Sequence, residues 1–540
     1  MKKIVTMFLA LCAFCGAASA QPERPRLVVG LVVDQMRWDY LYRYYARYGE
    51  GGFKRLLSEG YSCANTTIPY IPSVTAIGHS CIYTGSVPSI SGIAGNNFME
   101  DGKTVYCTDD PTVTPVGTDN RKCRMSPRNM WTTTIGDELR LATNNRSKVI
   151  GVALKERASI LPAGHHANGA YWFDDKTGTF VTSTYYMDQL PDWLVQFNQQ
   201  DLAAKYLSQK WNTLYPIDTY TESTADETAY EYGIAKGEKA VLPLDLPRLY
   251  KKNGYKILRS TPFGNSITFD AAKAAIEGEK LGQGTATDMI TVSCSSTDAM
   301  AHQLGINAVE MEDCYLRLDQ SIADFLSFLD QKVGKDNYLL FLSADHGGPN
   351  NATFLQDQHI PAGTWSARSA VRSVNEALAA KYPSASQLVR KVMNDQVFLD
   401  VAQIDSLSLD YAAVKQTVVD VLQRDKDVLY AFDMEKASVA SVPDEVKYRA
   451  INGYNRERSG GVQIVLKPGY SDNGGTRGNT HSAWNPYDTH IPLVFMGWHI
   501  PHGETTAPCK MTDIAPTVCA LLHVQAPNGC IGKPITFANK

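Results

Sequence analysis

The 540-residue sequence lacks a strong excess of either charge. Its 52 Lys and Arg residues nearly balance its 56 Asp and Glu residues, which gives a formal net charge of −4. A nucleic-acid-binding protein normally carries a concentrated basic surface, so this composition argues against a nucleic-acid partner. The chain also has no apolar run of about 18 residues outside its N-terminus, so we expect no membrane-spanning helix.

The N-terminus has the three parts of a secretory signal. Lys2 and Lys3 supply the positive region, Ile4–Phe14 the apolar region, and Ala18-Ser19-Ala20 a small-residue cleavage site. The alternative, a membrane anchor, needs a longer apolar span. We therefore predict a signal peptide over residues 1–20 and an exported mature chain over 21–540.

Cysteine is sparse, and its pairing is not readable from the sequence. Removing Cys12 and Cys15 with the signal leaves nine of the 11 cysteines, an odd number. In an exported protein some of these could pair, and Cys107–Cys123 or Cys509–Cys530 would close local loops.

Apolar runs typical of buried strands alternate with amphipathic helical segments along the chain. The predicted strands are Arg26–Val33, Lys148–Leu154, Asp288–Cys294, Tyr338–Ala344 and His490–Gly497, and Val309–Val333 is a predicted helix. This alternation predicts an α/β fold in layers around a mostly parallel sheet. Such sheets bind ligands at the carboxyl ends of their strands.

Two stretches depart from this pattern. Residues 165–285 are aromatic-rich, polar and irregular, and we interpret them as an insertion or cap over the sheet. Residues 369–468 alternate helices with short strands and predict a small α+β subdomain. Both stretches belong to a single domain over residues 21–540 in this interpretation.

Carboxylates and imidazoles follow the predicted strands. Asp298 and His302 are four residues apart, so a helical turn places both on one face. The other segments are LVVGLVVDQ, LLFLSADHGG and GNTHSAWNP. Together they supply Asp34, Asp298, His302, Asp345, His346 and His481. Three carboxylates and three imidazoles are too many for one zinc with an open position and suit two.

Paired ions about 3.5–4 Å apart suit phosphoryl transfer. The three histidines favour zinc, although spacing alone leaves Mn and Mg open. The nucleophile is then either water or a side-chain alkoxide. Thr75 is our candidate, because Val74, Ile77, Cys81 and Ile82 predict a helix that begins near it. The alternative is a capping role, and spacing does not separate Thr75 from Ser73 or Ser80.

The motifs VVDQMR, SVTAIGHSCIYTGSVPSISGI, TDAMAHQLG, SADHGG and GNTH occur in this order. They resemble those of the alkaline phosphatase superfamily, in particular the bacterial PafA-type, phosphate-irrepressible alkaline phosphatases. Nucleotide pyrophosphatase/phosphodiesterases are the next most similar group. The resemblance implies a three-layer α/β sandwich and a periplasmic location. It also implies that Thr75 forms a covalent phospho-enzyme.

By the same resemblance, two Zn²⁺ ions bind per chain. One is held by Asp34, Thr75, Asp345 and His346, and the other by Asp298, His302 and His481. His490 is the alternative for the last ligand, but His481 lies in a Gly-rich loop as the family's ligand does.

Three further residues bear on the substrate. Asn96 can donate an amide N–H, and Lys155 and Arg157 alternate along a segment predicted to be extended. From the residues alone, a solvated charged loop is an open alternative. The resemblance implies that Asn96, Lys155 and Arg157 are catalytic residues that bind the phosphoryl group, whereas the diesterase relatives generally lack the Lys/Arg pair.

The sequence therefore predicts a monomeric di-zinc alkaline phosphatase with a broad range of small-molecule phosphate monoesters. One alternative is a phosphodiesterase or nucleotide pyrophosphatase of the same superfamily. Another is a non-catalytic zinc-binding exported protein. A sulfatase is disfavoured because no C/S-x-P-x-R element surrounds Thr75.

Overall fold

A computed structural model describes residues 23–472 and 476–537. The predicted signal peptide, residues 1–20, lies outside the described residues. Within them, no helix is long and apolar enough to cross a membrane.

Ten strands of the described chain form one central sheet. We number them in chain order as β1 Leu27–Val33, β2 Tyr61–Cys63, β3 Pro115–Val116, β4 Val149–Ala153, β5 Gly169–Asp174, β6 Thr179–Ser183, β7 Asp288–Cys294, β8 Tyr338–Ser343, β9 Leu493–Gly497 and β10 Gly503–Thr505. Their spatial order is β10-β2-β9-β8-β1-β7-β4-β5-β6-β3. The adjacent strands β8, β1, β7, β4 and β5 are parallel, and β9 runs antiparallel to β8.

Helices cover both faces of this sheet. The helices of seven or more residues are Phe53–Glu59, Thr75–Thr84, Ile135–Ala142, Glu156–Ala163, Asp192–Gln199, Leu246–Asn253, Phe263–Glu279, Ser296–Leu304, Val309–Lys332, Ala367–Lys381, Tyr411–Leu422, Asp444–Gly453 and Ile514–Leu521. On one face, Gly30 and Gly151 leave room for Tyr83 and Ser159 of two packed helices. Every residue of β1 is buried, as expected for a strand covered on both sides. The fold is the predicted three-layer α/β sandwich.

The structure departs from the sequence interpretation in two places along this sheet. Residues 169–183, predicted to be irregular, form β5 and β6 because their aromatic side chains bury against the sheet edge. The predicted strand His490–Gly497 is divided at Pro492, which has no N–H to donate. His490–Ile491 instead pairs with Thr66–Thr67 in a separate small sheet.

Residues near 369–468 form a compact α+β unit. A four-stranded sheet contains Val389–Met393, Gln396–Leu399, Val462–Leu466 and Val428–Asp433 in that spatial order. The Ala367–Lys381 and Tyr411–Leu422 helices pack with it around a separate hydrophobic cluster that includes Val374, Val418 and Ile464. This arrangement supports the small subdomain, which remains our proposal for residues 369–468.

The cysteines of the described chain are free thiols. Neither Cys107–Cys123 nor Cys509–Cys530 is bonded. The thiol of Cys509 instead donates to the Ala507 carbonyl at 3.5 Å.

Candidate active site

Three buried carboxylates meet at the carboxyl ends of adjacent parallel strands. Asp34 follows β1, Asp345 lies two residues after the end of β8, and Asp298 lies in the Ser296–Leu304 helix that follows β7. Because β1 lies between β7 and β8, the three side chains converge at one edge. The side chains of all three are almost completely buried. This is the edge at which open α/β sheets bind their ligands.

The six predicted metal-binding residues form two groups. Asp34, Asp345 and His346 make one group, and Asp298, His302 and His481 make the other. Within each group, one potential ligand atom from each residue lies within 4.8 Å of the others. The two groups are adjacent, because the His346 and His481 rings stack with centroids 3.5 Å apart. Residues separated by more than 400 positions are thus brought to one place.

Each imidazole is oriented by a backbone carbonyl. The Nδ1 atoms of His302, His346 and His481 lie 3.0, 2.9 and 2.7 Å from carbonyl oxygens of Asn479, Gly347 and Ser73. A carbonyl only accepts, so each Nδ1 carries the proton. Each Nε2 then keeps its lone pair for a metal, the usual orientation of a histidine ligand.

The carboxylates have oxygens that the protein does not satisfy. Asp34 Oδ1, Asp298 Oδ1 and Asp345 Oδ2 are buried without a hydrogen-bond partner in the described chain. A buried carboxylate oxygen is costly unless it is hydrogen-bonded or coordinates a cation. The orphaned oxygens and the free Nε2 atoms face one another in the two groups. This donor set fits a metal cofactor.

The pKa shifts follow from burial and crowding. Burial raises the pKa of Asp34, and the charges of Asp298 and Asp345 add to the rise. Burial also opposes ionisation of Asp298, but His302 and Lys155 outweigh it and hold the pKa of Asp298 below its usual value. Burial lowers the pKa of His346 to about 3, which keeps this imidazole neutral. Neutral imidazoles and ionised carboxylates are the forms that bind metals.

Thr75 is the first residue of the Thr75–Thr84 helix, and its Oγ1 lies 3.5 Å from His346 Nε2. The structure separates it from the other candidate hydroxyls. Ser73 Oγ donates to the Ala483 carbonyl, and Ser80 Oγ donates to the Ile77 carbonyl. Among these three residues, Thr75 is the one whose hydroxyl lies against the metal-binding side chains.

His79 is a component of the site that the sequence analysis missed. Its Nδ1 lies 2.9 Å from the Thr75 carbonyl oxygen and 3.3 Å from Asp345 Oδ2. Its Nε2 lies 2.8 Å from Ser293 Oγ on β7. His79 therefore ties the start of the Thr75–Thr84 helix to a candidate ligand and to the sheet. The spacing of four residues from Thr75 on a helix could have indicated this.

Asn96, Lys155 and Arg157 surround the same edge. Asn96 Oδ1 accepts a hydrogen bond of 2.9 Å from the Ala76 N–H, which leaves the amide N–H₂ as a donor. Lys155 Nζ lies 2.6 Å from Asp34 Oδ2 and 2.5 Å from Asp298 Oδ2. The prediction of an extended segment was wrong, because Lys155 is the N-cap of the Glu156–Ala163 helix. Arg157 lies in its first turn.

His490 lies outside both groups. Its Nε2 is 2.8 Å from the Ala64 carbonyl oxygen, and its ring stacks on Trp38 with centroids 4.8 Å apart. The geometry therefore favours His481 over His490 as the last ligand.

The chain belongs to the type I phosphodiesterase / nucleotide pyrophosphatase family, whose model matches residues 28–488. Within that family it is a close homologue of the alkaline phosphatase PafA of Elizabethkingia meningoseptica. The two are 50 % identical over 541 residues, covering 99 % of this chain and 98 % of the relative.

Two further comparisons extend this result. The crystal structure of wild-type alkaline phosphatase PafA superposes with a TM-score of 0.93 at 50 % identity, covering 95 % of this chain and 99 % of that one. A protein of Myroides odoratus named calcium-transporting ATPase is 50 % identical over 541 residues, covering 99 % of this chain and 98 % of the relative.

Proposed function

We propose that this chain is an alkaline phosphatase that hydrolyses phosphate monoesters through a covalent phospho-threonine at Thr75. One observation carries the proposal: the Lys155 ammonium contacts a carboxylate of each candidate metal-binding group, and the hydroxyl of Thr75, at a helix N-terminus, lies 3.5 Å from His346 Nε2 of one group. A site that must bind two negative charges requires fixed positive charge beside the nucleophile. The 50 % identity to alkaline phosphatase PafA supports the same activity.

We further propose that the metal cofactor is a pair of zinc ions. One ion would be held by Asp34, Thr75, Asp345 and His346, and the other by Asp298, His302 and His481. Oxygen and imidazole ligands in this ratio suit zinc. When bound, the ions supply Lewis-acid stabilisation of negative charge on the attacking and leaving oxygens.

The side chains of this chain perform the remaining steps. Thr75 Oγ1 attacks phosphorus and loses its proton to solvent, the ester bond to the leaving group breaks, the leaving oxygen takes up a proton from solvent, and a phospho-threonine forms. Water then attacks that phosphorus, the P–Oγ1 bond breaks, a proton returns to Thr75 Oγ1, and inorganic phosphate is released. The Thr75–Thr84 helix points its N-terminus at this position, and its dipole favours the negative charge that develops there. His79 holds the carbonyl of Thr75 and thereby fixes the first turn.

The substrate class follows from the three donor groups. Lys155 supplies a charge, Arg157 a planar guanidinium and Asn96 an amide N–H₂, which together can stabilise the non-bridging oxygens of a phosphoryl group. Because these donors would bind the phosphoryl group and not the leaving group, we propose that the substrates are a broad range of small-molecule phosphate monoesters. The terminal phosphoryl group of ATP is bonded through one bridging oxygen and so has the same three non-bridging oxygens as a monoester. The ATPase name of the M. odoratus relative therefore agrees with a site that binds such a group.

A phosphodiesterase is the second candidate, because the family model carries that description. A diester has one fewer negative charge on its non-bridging oxygens, so it makes less use of Lys155 and Arg157. A non-catalytic zinc-binding protein is a third candidate. It would have no need of a threonine hydroxyl placed beside His346.

Substitution of Thr75 tests the covalent step. We expect Thr75→Ala to lose monoester hydrolysis by about 1,000-fold or more and Thr75→Ser to retain part of it, since only serine keeps a nucleophilic oxygen. Acid-quenched wild-type protein should carry phosphate on Thr75 by peptide mass spectrometry. Ser73→Ala is the matched control and should keep the phospho-enzyme. Wild-type activity in Thr75→Ala would refute the mechanism.

Export is also a proposal. The predicted signal over residues 1–20 and the bacterial homologues support a periplasmic or secreted protein, and we propose that it is a monomer. N-terminal sequencing of the exported protein would locate the cleavage site after Ala20.

A further inference from the structure

The guanidinium of Arg157 is held on one side and free on another. Its Nη1 donates a 2.9 Å hydrogen bond to the hydroxyl oxygen of Tyr106 and lies 3.5 Å from Glu156 Oε1. Its Nε is buried without a hydrogen-bond partner in the described chain. A buried guanidinium donor without an acceptor is costly. An arginine in this state is ready to receive an anion at the Nε edge.

The Tyr106 hydroxyl uses both its donor and its acceptor capacity. It accepts from Arg157 and donates to Glu156 Oε1. Burial, followed by the charge of Glu156, raises the pKa of Tyr106, so the hydroxyl remains a neutral donor in alkaline solution. Arg157 Nη1 also forms an ion pair with Glu156 Oε1 at 3.5 Å, so the hydroxyl and the carboxylate hold the same edge of the guanidinium. Tyr106 thus joins the Nη1 edge of Arg157 to Glu156 and leaves the Nε edge for another partner.

Tyr106 is also tied to Asn96 through the backbone. The strands Asn97–Glu100 and Lys103–Tyr106 form an antiparallel hairpin in which Asn97 pairs with Tyr106. The Cys107 N–H then donates to the Asn96 carbonyl at 3.0 Å. One short hairpin therefore positions Asn96 directly and Arg157 through the tyrosine.

The hairpin is anchored from the α+β unit. Arg458 forms a 2.7 Å ion pair with Glu100 and donates to the Gly92 carbonyl at 2.7 Å. The side-chain amide of Asn394 donates to the Asn97 carbonyl at 2.9 Å. The Glu100 contact holds the turn end of the hairpin and the Asn97 contact holds its base beside Tyr106, so the Tyr106 hydroxyl is presented at a defined position.

We propose that Tyr106 is a positioning residue that directs the Nε edge of Arg157 toward the substrate phosphoryl group and so increases the preference for monoesters over diesters. This inference rests on the proposed function. A monoester dianion gains more from a correctly directed guanidinium than a diester monoanion does. Loss of the hydroxyl should therefore reduce monoester turnover selectively.

The test uses Tyr106→Phe, which removes only the hydroxyl. We expect kcat/KM for an aryl phosphate monoester to fall about 10- to 150-fold, the usual effect of one hydrogen bond to a charged group. The inhibition constant of inorganic phosphate should rise by a similar factor, and kcat/KM for the matched diester should stay within about 2-fold. In an Arg157→Ala background the same substitution should have little further effect, because the two residues act as one unit.

Tyr206→Phe is the matched control, since the Tyr206 hydroxyl also donates to a carboxylate, that of Asp270, away from the site. Thermal melting of both variants separates folding from positioning. Equal losses of monoester and diester activity in Tyr106→Phe would overturn the inference, and so would an undiminished effect of that substitution in the Arg157→Ala background. In either case a wild-type preference for the monoester would still uphold the proposed function. A wild type that prefers diesters would overturn both.

Discussion

Lys155 Nζ forms a bridge between the two metal-binding groups, at 2.6 Å from Asp34 Oδ2 and 2.5 Å from Asp298 Oδ2. Burial opposes its charge, but Asp298 and Asp34 outweigh burial and raise the pKa of Lys155. The ammonium group therefore remains charged in alkaline solution. A cation at the centre of the site is what a doubly charged substrate requires, and it would complement the charge of the proposed zinc ions.

The metal centre predicts a defined stoichiometry. Chelation should abolish turnover, zinc should restore it, and elemental analysis should find two ions per active chain. Asp298→Asn should bind about one ion, because it weakens one group and leaves Asp34, Asp345 and His346 in place. Asp319→Asn is the control, since that buried carboxylate accepts from the Gly49 and Phe53 N–H groups instead. No more than one ion per active wild-type chain would contradict the two-metal account.

Gly78 allows the Thr75–Thr84 helix to approach Asp345. A Cβ at position 78 would lie 2.3 Å from the Asp345 carbonyl oxygen. We expect Gly78→Ala to destabilise the fold by about 1–3 kcal/mol and to reduce activity, since helix and ligand must move apart. Urea unfolding and kcat/KM measure the two effects. Gly284→Ala should change neither, because the nearest atom to an added Cβ there is the Ala286 amide nitrogen at 4.0 Å. Equal behaviour of the two variants would contradict the packing argument.

Glu231 should weaken the fold at high pH. Burial raises its pKa from 4.5 to about 8. The folded chain therefore holds a proton that the unfolded chain releases. The stability that protonated Glu231 contributes is fully present below about pH 4.5 and is lost as pH rises through about 8. Glu231→Gln should be about 2–4 kcal/mol more stable than wild type at pH 9 and similar at pH 5. Chemical denaturation at both pH values tests this.

Glu227→Gln serves as the control for that series, because this neighbouring carboxylate is exposed and ion-paired with Lys239. Its effect should not change between pH 5 and pH 9. A Glu231→Gln variant whose stability relative to wild type is the same at both pH values would refute the assignment.

Five of the six candidate metal-binding residues were readable in the sequence because each follows a strand or lies one helical turn from another, whereas His481 lies in a Gly-rich loop and was chosen on the family resemblance. Strand ends are readable from apolar runs, and parallel strands bring their ends together. Tyr106 was not predicted, because its partners Glu156 and Arg157 are distant in sequence. His79 was missed although its helical spacing from Thr75 was readable, because its other partners, Asp345 and Ser293, are also distant in sequence. The Lys155–Arg157 segment was assigned as extended because a three-residue polar stretch shows no period, and only packing reveals the helix. The strands of residues 169–183 were missed for the related reason that aromatic content does not distinguish a cap from a sheet edge.

The central claim is best tested by kcat/KM for matched aryl phosphate monoester and diester substrates, on wild type and on Lys155→Ala/Arg157→Ala. We predict that wild type strongly prefers the monoester and that the double variant loses monoester activity by about 100-fold or more while retaining most diester activity. A wild-type preference for the diester, or a double variant that retains full monoester activity, would contradict the account.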